Sequence, residues 1–373
     1  MNLNSLQPRI SDVHQISILW PSLSSSNQSL EQYSRFFEYI ATEINLTSTF
    51  TGISSKRAYS LVFGAVAVLR RHGNSPRSIL LKEIASLCKE TEDVEEKTMV
   101  WQVIQAALHI WLALDIQLDD NLHGVTFAET ISGKSNAVVW EGETSLQTLT
   151  EQEFLPESSN ATNTGQSFKV EPIFTMAYLV NYYGFRIYWT SSLTEHLTIN
   201  WKFKTVSIFQ HKICLWNHTK YPDTSPIPLE IHEEALDTMN LLFPFDDTST
   251  KALLQKEGVN FYSLGFCGRE RLLDLDRYNY WRLPLEELVG VLQLPPSGLH
   301  QLRLDKDGRN LLQFATFWIA AAVALLTIVS FIFGILSTIY AKRGYDIAVL
   351  QYKLSLAQAC AEPGAKEQLP DFC

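Results

Sequence analysis

One uninterrupted apolar run constrains this chain more than any other feature. It begins Leu311-Leu312-Gln313-Phe314-Ala315-Thr316-Phe317-Trp318, ends Ser337-Thr338-Ile339-Tyr340-Ala341, and holds no charged residue. As a helix rising about 1.5 Å per residue it reaches roughly 40 Å, more than the ~30 Å of a hydrocarbon core. A helix packed against a soluble core keeps a polar face, and this run has none. The expectation is one C-terminal transmembrane helix over residues 314–340, with a large polar domain before it and a short tail, 341–373, after it.

The rest of the chain has the composition of a folded protein. Of 373 residues, 46% are hydrophobic and 19% charged, which sets the sequence apart from disordered chains. Residues 27–300 are expected to form a mainly α-helical soluble domain with a minor β-hairpin component, behind a loosely ordered segment 1–26. The formal net charge of −10 argues against affinity for phosphate backbones or anionic lipid surfaces, so nucleic acid is not an expected partner. Five scattered cysteines, Cys88, Cys214, Cys267, Cys360 and Cys373, make a poor disulfide framework and point to a reducing compartment.

No apolar leader opens the sequence, Asn2 stands where N-myristoylation needs glycine, and Cys373 is last rather than fourth from last. The apolar helix is therefore expected to direct insertion itself and to leave the large domain in the cytosol. Arg303, Lys306 and Arg309 before it balance Lys342, Arg343 and Lys353 after it, so flanking charge does not fix the orientation. Sequons begin at Asn27, Asn45, Asn160 and Asn217, and become glycan acceptors only if the domain is lumenal.

Within the soluble part, Ser29 and Gln32 have capping-box spacing before Leu30, Tyr33, Phe37 and Ile40 at helical intervals. A second helix is predicted from Lys56 to His72. Its dozen apolar residues are too few to span a bilayer, so it reads as a core helix ending at Gly73. A third is predicted over Ser78–Lys89 and a long fourth over Val94–Leu118, with Met99, Val103, Ala106, Ile110 and Leu114 on one stripe; together they suggest a helical layer. Residues 124–140 read as a weak hairpin, and 153–166 as a surface loop or subdomain boundary. The aromatic segment Ile173–Thr190 reads as a helix. Leu197–Trp216 reads as extended, with a turn near Lys204. Leu229–Leu242 reads as a helix, and Ser249–Lys256 and the segment around Tyr278–Arg282 as short ones.

Candidate chemistry is sparse. His211, Cys214 and His218 have a spacing that can gather metal ligands, but on a strand the first two point to opposite faces. Asp115, Asp119 and Asp120 cluster at a helix end without a second acidic cluster to complete a Mg²⁺ site. Asp246-Asp247 reads as a helix N-cap before Ser249. Cys267, in Gly265-Phe266-Cys267-Gly268-Arg269, sits near a turn but lacks a partner histidine in the sequence. Phosphate-cradling, dinucleotide and Gly-x-Ser-x-Gly motifs are absent. No catalytic residue, metal or cofactor is assigned on this basis.

The apolar run does carry a pattern. Ser330, Gly334 and Thr338 recur every four residues, a spacing that lets two membrane helices approach closely and self-associate. Beyond Gly344, residues Ile347, Leu350, Leu354 and Ala357 fall at helical spacing and predict an amphipathic tail helix on the far membrane surface.

Arg309-Asn310-Leu311-Leu312-Gln313-Phe314-Ala315-Thr316-Phe317-Trp318 resembles the membrane-entering motif of a set of uncharacterised filamentous-fungal single-pass proteins. Leu242-Phe243-Pro244, Tyr280-Trp281-Arg282 and Glu195-His196-Leu197 with Ile199-Asn200 are similar to patches of the same set, so the likeness covers roughly residues 190–345. Asp307-Gly308 and the longer tail depart from it. The resemblance implies an anchored, mostly helical intracellular domain and supplies no activity. The functional expectation is a non-enzymatic interaction or scaffolding protein; the alternative is an accessory protein or enzyme of a fungal biosynthetic pathway. A binding module calls for a broad groove without converging titratable groups, an enzyme for a deep pocket that holds several.

Overall fold

The computed structural model describes residues 10–25, 30–88, 96–118, 137–155, 169–259, 261–293 and 311–361, with isolated positions beyond. The chain divides into two units, Met1–Pro295 and Pro296–Cys373. The first is mainly helical with a small sheet component, and the second carries one long apolar helix.

The first unit begins with α1, Ile10–Leu19, followed by a 3-10 turn at Pro21–Ser25. The loosely ordered lead-in expected for residues 1–26 is thus corrected over its described part. Leu19 and Trp20 are fully buried, and the Trp20 ring meets Phe36 at 5.7 Å and His218 at 5.5 Å. A buried tryptophan of this size removes enough apolar surface from water to hold a short helix in place.

Four helices then build the layer expected from the periodicity: α2 (Ser34–Thr51), α3 (Ser55–His72), α4 (Arg77–Cys88) and α5 (Glu96–Leu112). α2, α3 and α5 pack on one another, and α4 packs on α3 and α5. α3 is the predicted core helix. Ser54 caps it by accepting the Arg57 N–H, its Ala58, Val62, Ala65, Val66 and Leu69 are fully buried, and Arg70, Arg71 and His72 complement its negative C-terminal end. Gly73 ends it with an ordinary right-handed φ of −56°, not with a left-handed cap.

α5 stops six residues before the expected end. Ala113 takes a positive φ of 56°, and the chain turns into strand β1, Ile116–Leu118. β1 pairs in parallel with β2, Val138–Trp140, so the described part of the expected hairpin is instead half of a parallel pair. Helix α6 follows at Leu146–Glu153.

The aromatic segment divides where Gly184 adopts a φ of 74°. Before it lie α7, Met176–Tyr178, and a π-turn, Leu179–Tyr183; after it comes strand β3, Arg186–Thr190, where a helix was expected. β3 pairs in parallel with β5, Thr205–Phe209, and β4, Ile199–Asn200, pairs antiparallel on β5's other side. The β4–β5 turn at residues 201–204 falls where it was predicted. The extended reading fails past Phe209, because α8 spans Lys212–Lys220.

α9, Leu229–Leu242, matches its predicted bounds. Every residue from Ile231 to Leu242 is buried except Glu233, so this helix is a central pillar with no broad solvent face. α10 (Thr248–Glu257) and α11 (Arg282–Leu292) complete the unit. Asp247 caps α10 as expected, its carboxylate accepting the N–H groups of Ser249 and Thr250.

The second unit holds α12, which runs unbroken from Leu311 to Cys360. It passes straight through Gly344, so the tail continues the same rod and does not start a separate helix. None of the residues in its most apolar stretch is buried, and it is long and apolar enough to cross a bilayer. This is consistent with single-pass membrane anchoring.

Candidate functional site: a buried histidine cluster and an exposed apolar helix

α9 carries five buried polar side chains, and each fastens a different segment. His232 Nε2 meets Ser225 Oγ at 3.1 Å. The Glu234 carboxylate accepts the backbone N–H groups of Asn279, Tyr280 and Trp281 at 2.7–2.8 Å, just ahead of α11. Asp237 accepts a two-pronged contact from Arg269, both arms 2.7 Å. Thr238 Oγ1 meets His196 Nε2 at 2.7 Å, and Asn240 Oδ1 accepts from Lys212 Nζ at 2.8 Å. A buried polar group without a partner costs on the order of 1–3 kcal/mol, so a buried helix this polar persists because each of these five side chains has at least one partner.

Lys212 also donates to the carbonyl of Gly265, and burial draws its pKa down to about 8. The two acceptors tie α8 to α9 and to the turn at residues 265–268, where Cys267 has a φ of 54°. Cys267 is buried, its thiol is pushed upward by burial, and its Sγ lies 3.7 Å from the Leu264 carbonyl. These are the surroundings of a packed thiol and not of an activated nucleophile.

The helical form of α8 changes the geometry expected for His211, Cys214 and His218. With His211 at its N-cap, the three recur at helical spacing and all line one buried cavity, together with His109, His232 and Tyr39. The rings turn to separate partners. His211 Nε2 meets Ser191 Oγ at 3.2 Å, its ring lies 4.4 Å from that of Tyr39, and His218 Nε2 donates to the Trp111 carbonyl at 2.9 Å. His218 and His232 stack at 4.8 Å. Among the described residues no three His, Cys, Asp or Glu side chains take positions that could hold a metal ion.

Two charge environments coexist here. Burial lowers His196 and His211 to about 3 and His218 to about 4, and drives His232 well below the ordinary value. His109 moves the other way. Burial opposes its protonation, but the hydrogen bond to Glu43 and the nearby charges of Asp115, Glu43 and Glu195 outweigh it and raise its pKa. Its Nδ1 lies 3.4 Å from Glu43 and its Nε2 3.6 Å from Asp115. Asp115 is therefore a partner of His109, while Asp119 and Asp120 lie outside the described residues. The cavity has room for about one water molecule. The buried Nδ1 atoms of His218 and His232 and the Tyr39 hydroxyl have no partner among the described residues.

A second concavity is open and larger. A groove of about 480 Å³ lies between the end of α3 and residues 222–229, lined by Arg70, Arg71, Glu151, Asp223 and Trp111 among others. Trp111 also lines the histidine cavity, and its Nε1 donates to the Thr224 carbonyl. The groove is polar and carries both signs of charge.

The sequons separate in kind. Asn45 is exposed on α2. Asn217 is fully buried, and its side-chain nitrogen donates to Tyr33 Oη at 3.0 Å, a position that no glycan on the folded domain can occupy. Asn217 is therefore withdrawn as an acceptor. Asn27 and Asn160 lie outside the described residues. On α12, Ser330, Gly334 and Thr338 are exposed, and the Thr338 hydroxyl donates to the Gly334 carbonyl at 2.9 Å. Space around Gly334 is open.

Sequence reasoning missed the fastening role of Glu234, Asp237 and Asn240. The only sequence signal was that α9 carries more polar residues than its apolar length needs. The short patches singled out in the sequence, Glu195-His196, Leu242-Phe243-Pro244 and Tyr280-Trp281-Arg282, gather around α9: Trp281 Nε1 donates to the His196 carbonyl, and Phe243 packs on Trp189 and Phe261. No family model, curated protein or solved structure matches the chain.

Proposed function

We propose that this chain is a single-pass membrane protein that presents its helical domain in the cytosol as an interaction or scaffolding module. The observation that carries the reading is α12, a 50-residue helix whose apolar stretch is exposed along its length. Two further observations support it. Among the described residues, the space between the histidines has the size of about one water. The open groove is broad and mixed in charge, the form expected of a binding surface.

Cysteine chemistry supports the orientation. Cys214 and Cys267 are free and buried in the large domain, whereas Cys360, at the far end of α12, is disulfide-bonded. Free thiols on one side of a span and a disulfide on the other fit a cytosolic domain and a lumenal tail. The disulfide also replaces the expectation of uniformly reduced cysteines. Partners are then membrane lipid, other proteins and, through Ser330, Gly334 and Thr338, a second copy of α12.

The experiment is fractionation followed by proximity labelling from the N-terminal domain. The full-length chain should sediment with membranes, resist carbonate extraction, and label cytosolic rather than lumenal proteins. A chain that stays in the high-speed supernatant sinks the anchored reading; lumenal labelling reverses the orientation. The groove favours a second reading, an accessory protein of a fungal biosynthetic pathway that holds a small polar ligand there. Enrichment of pathway enzymes among labelled neighbours would favour it.

A further inference from the structure

The net charge of −10 hides a local exception. At one end of the three-stranded sheet, the β4–β5 turn exposes Trp201 (48%) and Phe203 (59%). Lys202 sits between them, with its Nζ 5.3 Å from the centre of the Phe203 ring. The turn is rigid: the Phe203 N–H donates to Asn200 Oδ1, Lys204 takes a φ of 49°, and Lys204 Nζ donates to the Tyr183 carbonyl. Beside it the Arg186 N–H donates to the Lys204 carbonyl, and Arg186 and Tyr188 are exposed on the same face of β3. On the other flank, Trp201 Nε1 donates to Glu287 of α11, and Leu283, one helical turn earlier on the same face, is 52% exposed.

The patch thus joins two exposed cations, Arg186 and Lys202, to two exposed aromatic rings at a turn tip, with Lys204 fastening the turn to the Tyr183 carbonyl. The acidic side chain bound to it, Glu287, is held by the Trp201 indole. Large exposed aromatics are costly in water, and a pre-set turn that displays them has a use for them. Tryptophan and lysine together suit one medium in particular: the indole settles at the boundary of headgroup and acyl chain while lysine reaches the lipid phosphate.

Chain connectivity supplies that medium. α11, which carries Leu283 and Glu287, ends at Leu292, and α12 begins at Leu311. Residues 293–310 can reach at most about 60 Å, so a domain anchored by α12 stays within that distance of the bilayer. At such an effective concentration a weak contact is enough.

We propose that the Trp201–Lys204 turn, with Arg186 and Leu283, is a membrane-interface foot that seats the domain on the headgroups of the bilayer crossed by α12. This rests on the anchored reading and goes beyond it. The foot holds one face of the domain against lipid.

The test uses the full-length chain in nanodiscs of phosphatidylcholine with phosphatidylserine. An environment-sensitive dye is placed on Phe203→Cys, and the background is measured on the unsubstituted chain, whose Cys88, Cys214 and Cys267 are buried. Nitroxide-labelled lipids should quench this dye several-fold more than the same dye on Ser86→Cys in α4. Adding Arg186→Glu and Lys202→Glu should abolish the excess. A chain incorporated in the nanodisc whose dye at position 203 is quenched no more than at position 86 overturns the foot while the anchor stands. Full quenching that survives both charge reversals overturns the role given to the cations. A chain that elutes free of the nanodisc overturns the anchored reading, and this inference with it.

Discussion

Arg269 shows how much one side chain decides in this fold. Its guanidinium holds the buried Asp237 with two hydrogen bonds of 2.7 Å and reaches Glu233 at 3.1 Å. Removing it leaves a carboxylate 5% exposed and without its counter-charge. Arg269→Ala is expected to cost about 3 kcal/mol, and Arg269→Lys less than half of that, because the charge stays while the fork is lost. Chemical denaturation of the large domain measures both; equal, small losses would show that Asp237 is stabilised by something else. Nothing in the sequence pairs these residues. They lie 32 positions apart, and the match exists only because α9 is buried on nearly all sides and every carboxylate on it must find a donor. The Asp246-Asp247 pair is the opposite case. Its role is local, a cap three residues from its target, and it was legible from spacing alone.

At the scale of elements, periodicity located α3, α4, α9 and α10 to within about a residue, because their apolar spacing is a property of the segment itself. It failed where a long-range pairing overrode the local pattern. β3 is a strand because Gly184 breaks the helix and β5 offers a full ladder of partners. α5 ends at Leu112 because β1 pairs with β2. Asp247→Ala should destabilise α10 by about 1 kcal/mol, read as a lower Tm, with a smaller loss for Asp247→Asn. A loss no larger than that of an exposed control substitution would remove the cap from the account. On α12 the prediction concerns a face. Gly334→Ile adds bulk into open space, so the helix should still form and insert while dimer signal in a membrane two-hybrid assay falls to background. Unchanged signal would mean that the Ser330–Gly334–Thr338 face is turned to lipid.

The histidines give the whole domain a pH signature. In the unfolded chain each takes up a proton near its ordinary 6.5; in the fold His196 and His211 wait until about 3 and His218 until about 4, with His232 also held low. Between those limits the unfolded state binds more protons, so stability rises with pH and is lost on acidification. By about pH 5 each such histidine is expected to remove roughly 1–2 kcal/mol. His109 opposes the trend: its raised pKa gives stability that is fully present below 6.5 and fades as pH climbs through the folded value. Four against one, the urea midpoint should fall steeply from about pH 7 to pH 5. A flat or rising midpoint would mean that the cluster opens to water before it protonates. By itself the sequence determined the apolar rod near the C-terminus, the helical character of the domain and the local caps, since each depends on residues within a few turns of one another. Only the tertiary structure decided which polar residues are buried together, where strands replace helices, and that Arg186 of β3 and Glu287 of α11 stand beside the Trp201–Lys204 turn. Those outcomes depend on which distant segments share a core, and burial sets the partner that each group must find.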